Sequence, residues 1–269
     1  MPTLEGLVVE DVVMRYGGHT AVNRISLAAP LERITGLIGP NGAGKTTTFN
    51  VCSGLVRPTS GRVRLFGEDV TRMAPQRRAQ RGLGRTFQRM QLFDSLSVWE
   101  NVELGREAGL AGSKPWRHLR GTRGDRKTVA SAVTDALELC NVTSLARRRT
   151  ADLSTGQRRL VELARCVAGG FKVMLLDEPS SGLDKAETEA FGRILRALVD
   201  ERRAGILLVE HDMSLVMSTC DFIQVLDFGQ VVFSGTPAEV GASEIVRAAY
   251  LGSAEVETSV ISPPPLTSR

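Results

Sequence analysis

The most constraining stretch of this chain is Gly39-Pro40-Asn41-Gly42-Ala43-Gly44-Lys45-Thr46, which fits the pattern G-x-x-x-x-G-K-[ST]. Apolar Ile34-Thr35-Gly36-Leu37-Ile38 precedes it and reads as a buried strand. Residues 45–54 follow with a helical pattern that stops near Gly54 and Pro58. Glycines at this spacing let successive backbone N–H groups turn inward on one phosphate, helped by the positive end of the following helix. Lys45 would then span the β- and γ-phosphates, and the Thr46 hydroxyl would ligate Mg²⁺. The loop predicts nucleotide binding but leaves kinases, GTPases, helicases and transporters open.

The chain has 269 residues, enough for one sizeable domain or two small ones. Short β-branched segments alternate with helical patterns, as in an α/β domain. Residues 7–9, 12–15 and 25–28 read as edge strands. Residues 173–176 and 206–209 are continuous apolar runs of the kind a buried parallel strand needs. Residues 222–226 and 230–234 suggest a hairpin around Phe228-Gly229. Leu160, Val161, Leu163, Ala164, Val167 and Ala168 share one helical face, as do Phe191, Ile194, Leu195, Leu198 and Val199; both stripes are expected to pack into a core.

No run approaches the ~20 consecutive apolar residues that span a bilayer. Glu5, Glu10 and Asp11 interrupt the apolar stretches where a signal peptide would lie. The expectation is a cytosolic chain that meets a membrane only through a partner. Cys52, Cys140, Cys166 and Cys220 are scattered with no CxxC pair, which excludes a structural zinc site of that pattern and fits buried, reduced thiols. A net charge of +4 permits contact with nucleic acid or anionic lipid without requiring either. Residues 105–127 hold seven Lys/Arg against two Asp/Glu and read as a polar surface insertion, a loop or broken helix. With one aromatic, Trp116, to stack a base, nucleic acid is not expected as its partner. Residues 253–269, with Pro263-Pro264-Pro265, read as a disordered tail.

Two further segments narrow the class. Val173-Met174-Leu175-Leu176-Asp177-Glu178 puts an acid at the end of a buried strand, where Asp177 can hold Mg²⁺ and Glu178 can polarise an attacking water. The competing reading is a helix cap at Asp177-Glu178-Pro179. Leu153-Ser154-Thr155-Gly156-Gln157 combines a serine hydroxyl, a glycine and a helix start, which together make an anion site. It resembles the signature sequence of ABC ATPases, with Thr155 where glycine is most common.

Other segments match that family in order: Gln88 within Arg85-Thr86-Phe87-Gln88, then Ser181-Gly182-Leu183-Asp184, then His211 after the run 206–210. The resemblance spans nearly all of residues 5–252. It implies an α/β fold: a P-loop (RecA-like) ATPase core with an N-terminal antiparallel β-subdomain and an inserted α-helical subdomain, roughly 89–168. It also implies ATP hydrolysis with Mg²⁺ in a dimer of ATPase domains. ATP would be held by Tyr16 stacking on adenine, by Gly39 to Thr46 with Thr47, and by Gln88. Thr46, Gln88 and Asp177 would ligate Mg²⁺, Glu178 and His211 would be catalytic, and Asp184 would lie on an interface loop. Leu153, Ser154, Thr155, Gly156 and Gln157 would act on the opposite subunit's nucleotide. Two integral-membrane permease subunits, and indirectly a substrate-binding protein, would complete a transporter whose ATPase sits on the cytoplasmic face of the inner membrane.

Residues 82–88, Leu92-Phe93, residues 97–102, Glu210-His211-Asp212-Met213 and the closing Val246-Arg247-Ala248-Ala249-Tyr250-Leu251-Gly252 most resemble ATPase subunits of branched-chain amino acid importers. Importers of urea or short amides share most of these features. The lipopolysaccharide-export ATPase is similar at its end but lacks so long an insertion. DNA-acting or ribosome-acting family members would carry coiled coils, cysteine clusters or a second ATPase half. A GTPase would show an Asn-Lys-x-Asp motif, and none is present.

Overall fold

The structure is a computed structural model, and it describes the backbone of residues 5–86, 92–111 and 123–249. Two sheets organise it. The first is antiparallel, in the order β2-β1-β4-β5, and contains β1 (Gly6–Tyr16), β2 (His19–Pro30), β4 (Ser60–Leu65) and β5 (Glu68–Asp69). The second has the order β10-β9-β3-β8-β7-β6. Its strands are β3 (Ile34–Ile38), β6 (Leu83–Arg85), β7 (Val173–Asp177), β8 (Gly205–Val209), β9 (Phe222–Asp227) and β10 (Gln230–Gly235). All its pairings are parallel except β9 with β10.

The parallel strands are apolar throughout because both of their faces are covered. Ile34, Ile38, Met174, Leu176, Ile206 and Leu208 point into one core. Helices α3 (Val98–Ala111), α4 (Arg123–Leu139), α5 (Thr155–Ala168) and α6 (Lys185–Arg202) supply most of the rest of that core. Leu37, Val173, Leu175, Leu207 and Val209 point the other way, onto α1 (Lys45–Ser53) and the antiparallel sheet. Alternation along each strand therefore feeds two cores from one sheet. The short helices α2 (Pro75–Gln80), α7 (Met213–Thr219) and α8 (Pro237–Ala242) complete the fold. Among the described residues no helix is long and apolar enough to cross a membrane.

The parallel strands 173–176 and 206–209, the hairpin at Phe228-Gly229 and the two apolar helix faces all stand where expected. The N-terminal strands differ. Residues 7–9 and 12–15 form one strand, β1, and it is interior rather than an edge, flanked by β2 and β4. A register shift between Val9 and Val12 interrupts the alternation there. Asp11 adopts φ 45° and its N–H donates to Ser26 Oγ at 2.9 Å, so a bulge breaks the pattern without ending the strand. Helices α3 and α4 run into the basic insertion from either side; its centre, like residues 253–269, lies outside the described residues.

Arg78 is 1% exposed and donates to the carbonyls of Val51, Cys52, Thr71 and Met73 at 2.7–3.1 Å. It thereby satisfies carbonyls that the end of α1 would leave open.

All four cysteines are buried and free. Burial pushes the Cys52, Cys166 and Cys220 thiols up to about 12 and raises Cys140 as well. An acid weakened by folding holds its proton in the native state while the unfolded chain ionises near 9.0. Stability is therefore complete below pH 9 and falls between 9 and 12, by up to about 1.4 kcal/mol per pH unit for each thiol. Denaturant titrations from pH 8 to 10.5 should show this decline, and Cys52→Ala should make it shallower by one thiol's share.

Candidate active site

Strand β3, buried between β8 and β9, delivers the chain to the glycine loop. Gly39 leaves the sheet at φ 148°, and a Cβ there would stand 2.1 Å from the Leu226 carbonyl oxygen. Gly44 enters α1 at φ 97°, where a Cβ would stand 2.6 Å from the Ala21 carbonyl. Both positions need glycine for backbone conformation and for close approach. The turn between β9 and β10 backs the loop through Gly229 N–H, which donates to Ala43 O at 3.1 Å. Lys45 is 6% exposed, and its Nζ donates to Gly39 O at 2.5 Å and Pro40 O at 2.9 Å. Burial lowers its basicity, while Glu178 and Asp177 oppose that shift. Thr46 is exposed and Thr47 half-buried in the first turn of α1.

Asp177 ends β7 and is 2% exposed. Burial raises its carboxyl above the usual range, and the like charges of Glu178 and Glu210 add to this, against the pull of Arg85 and His211. No helix starts here, which disposes of the capping alternative; α6 begins at Lys185 with Asp184 as its cap. Glu178 stands instead at φ 47°, its N–H bound to Val209 O at 2.8 Å. That left-handed backbone, unusual outside glycine, turns its side chain to His211: Nε2 and Oε1 are 2.5 Å apart. With a carboxylate as acceptor, Nε2 is the protonated nitrogen. Glu210, 2% exposed, accepts from Ser180 N at 2.8 Å and His211 N at 3.1 Å, tying the two strand ends together. Asp212 accepts from Ser214 N and Leu215 N at the start of α7, which holds the peptide beside His211.

Tyr16 ends β1, paired with His19 and 49% exposed, so its ring is free to take a planar partner. Gln88 lies outside the described residues. Leu153 is buried, and Ser154 caps α5: its Oγ accepts from Gln157 N while Gln157 Oε1 accepts from Ser154 N, both at 3.2 Å. Asp184 and Glu187 form the same reciprocal cap on α6, at 2.8 and 3.1 Å. The two caps touch. A Cβ on Gly156 would meet Glu187 Oε1 at 2.4 Å, and one on Gly182 would meet Thr155 Cγ2 at 3.1 Å. Residues 39–46 thus rest on Ala21, Leu226 and Gly229, whereas residues 153–157 rest on the Asp184 loop.

Sequence reading missed Arg85 and Glu210 as parts of this site. Each adjoins a motif residue in sequence, but only the packing shows which group it reaches. The structure also holds an apolar groove of about 530 Å³ lined by Leu55, Leu83, Phe93, Leu104, Cys166 and Phe171, with Arg85 and Thr86 on its wall.

The glycine loop between a buried strand and a helix, on a parallel sheet flanked by a β-layer and inserted helices, defines a P-loop ATPase. Residues 22–181 match the family model for ABC transporters. Residues 230–256 match a second model, that of the branched-chain amino acid ATP-binding cassette transporter. The chain belongs to the ABC transporter family as an ATP-binding, ATP-hydrolysing subunit.

It is 37% identical over 256 residues to the high-affinity branched-chain amino acid transport ATP-binding protein BraF of Pseudomonas aeruginosa, covering 92% of this chain and 98% of that protein. Identity to LivG of Escherichia coli, of the same description, is 35% over the same shares. The lipopolysaccharide export system ATP-binding protein LptB of Haemophilus influenzae is 33% identical, covering 91% and 97%. Among solved structures, the ADP conformation of the cassette MJ1267 superposes with a TM-score of 0.81 at 28% identity, covering 93% of this chain and all of that one.

Because Glu187 packs on Gly156, Gly156→Ala should displace that carboxylate and open the α6 cap, a loss of about 1 kcal/mol. Urea unfolding should show it, and Gly156→Ala combined with Glu187→Ala should be less than additive.

Proposed function

We propose that this chain is the ATPase subunit of an importer for branched-chain or related amino acids. The observation that carries this is the combination of 35–37% identity to BraF and LivG across 92% of the chain with the match of residues 230–256 to the branched-chain transporter model. Residues 5–252 form the ATP-binding domain, 89–168 its helical part and 253–269 a tail.

In this reading Tyr16 stacks on adenine, and Gly39, Pro40, Asn41, Gly42, Ala43 and Gly44 present backbone N–H groups to the phosphates. Lys45 already sits at the loop mouth on the carbonyls of Gly39 and Pro40, so a phosphate oxygen takes over part of an existing bonding pattern. Thr47, in the first turn of α1, joins these residues in holding ATP. The donors present suit Mg²⁺: the Thr46 hydroxyl and the Asp177 carboxylate, with Gln88, are hard oxygen ligands. Among the described residues no group of three or more His, Cys, Asp or Glu forms a dedicated cage, and Mg²⁺ is ordinarily held by one or two carboxylates plus phosphates. When bound it neutralises phosphate charge.

Glu178 accepts the proton of the attacking water, and His211, bonded to Glu178, orients that carboxylate beside the γ-phosphate. Leu153, Ser154, Thr155, Gly156 and Gln157 complete the site of a second ATPase subunit, across an interface that Asp184 lines. The α5 N-terminus is the anion-binding element. Helices of two permease subunits dock on the pair of ATPase subunits, one on each, and convert dimer closure into transport, which puts the chain on the cytoplasmic face of the membrane. A substrate-binding protein supplies the amino acid from outside.

Glu178→Gln should retain ATP binding, lose turnover by about 100-fold or more and accumulate a closed dimer on size exclusion with ATP; wild-type ATPase activity would refute its role. Lys45→Ala should weaken nucleotide affinity by about 10-fold or more, the worth of one charge-assisted hydrogen bond, read by equilibrium titration. Uptake of radiolabelled leucine by cells that make the chain, against cells with it deleted, tests the cargo. Unchanged leucine uptake with lost amide or urea uptake would favour the related importers.

A further inference from the structure

Arg85 bridges α1 and the strand end that carries Asp177. It ends β6, in register with Leu175 of β7. Its guanidinium lies over the Phe49 ring, 4.7 Å from the centroid. Nη1 donates to Asn50 Oδ1 at 2.8 Å and to Ser53 Oγ at 2.7 Å. Nη2 stands 3.5 Å from Asp177 Oδ2. Phe49, Asn50 and Ser53 belong to α1, the helix that begins with Lys45 and Thr46. One planar cation therefore spans the element that carries the phosphate-side residues and the strand end that carries the carboxylate.

The distances rank these contacts. The two short bonds anchor the guanidinium on α1, and from there the ion pair reaches to Asp177. Only 13% of the Arg85 side chain and 3% of the Asp177 side chain are exposed, so water screens the pair weakly. Partners in several directions suit a rigid fork and not the single point charge of a lysine. Groups that bond to a metal-ligating carboxylate commonly fix its orientation and so govern metal affinity.

We infer that Arg85 is a positioning residue for metal-dependent nucleotide binding: it holds the Asp177 carboxylate in register with α1, so that the oxygens of Thr46 and Asp177 converge on one point. This rests on the assignment of Asp177 as a Mg²⁺ ligand made above. Arg85, Ser53 and Thr86 also line the apolar groove, so an occupant there abuts the same guanidinium.

The test uses the full chain and a fluorescent ATP analogue, titrated once in excess Mg²⁺ and once in EDTA, with thermal unfolding as the check on folding. In Arg85→Gln the gain in affinity from Mg²⁺ should shrink by about 10-fold, while affinity in EDTA stays within about two-fold of wild type. Arg85→Lys should lie between the two, since it keeps the charge and loses the fork. If affinities with and without Mg²⁺ fall together, or neither changes, the inference is overturned. Asp177→Asn separates the two layers. If it abolishes the Mg²⁺ gain while Arg85→Gln leaves it intact, the role of Arg85 alone falls. If Asp177→Asn also leaves it intact, the metal assignment falls and takes this inference with it. Should Arg85→Gln not fold, a wild-type Mg²⁺ gain in Arg85→Lys is the overturning result.

Discussion

The site depends on how closely backbone can approach backbone at the end of β3. Between Gly39 and Leu226 there is no room for a Cβ, and between Gly44 and Ala21 hardly more. These contacts wedge the loop between the β9–β10 turn and strand β2, which fixes where α1 starts and which way its first N–H groups face. A loop so held can offer its amides to an anion without reorganising, which a freely moving turn could not do. The antiparallel sheet thus serves the site directly: Ala21 and Val22, on β2, form part of the loop's backing.

On the other side of the loop a small volume holds Lys45, Arg85, Asp177, Glu178, Glu210 and His211. Asp177 and Glu210 are each 2% exposed, and burial lifts Asp177 despite the cation beside it. The fold tolerates this because every strand end is tied: Glu210 to the Ser180 and His211 amides, Glu178 to Val209 and His211, Arg85 to α1. Glu178 adds a left-handed backbone. Strain and buried charge collected at one place are a common mark of a reaction centre, and here they coincide with the residue given the base role.

Several elements escaped the sequence pattern for physical reasons. Strand β1 looked like two pieces because a bulge at Asp11 resets the alternation. It looked like an edge because polar residues interleave its apolar ones. Strand β6, with the sequence Leu-Gly-Arg, is too short to show any period. Arg78 and Arg85 drew no role of their own from the sequence, since nothing local announces that a cation will be buried on helix carbonyls or between a helix and a carboxylate. Gln88 falls outside the described residues, so its place rests on motif order alone.

What the sequence determined by itself was the chemistry that lies within a few consecutive residues: the loop 39–46, the strand-end acids 177–178, the helix start at 154–157, and the family these define together. Such motifs are legible because the backbone geometry they need is local, set by glycine torsions, strand alternation and helix caps. The tertiary structure alone decided which distant groups meet. It brought His211 to Glu178, Arg85 to both Asn50 and Asp177, and Glu187 to Gly156. Those contacts follow from the register of parallel strands joined through long crossovers, a quantity that side-chain packing across the whole sheet sets and no short stretch encodes.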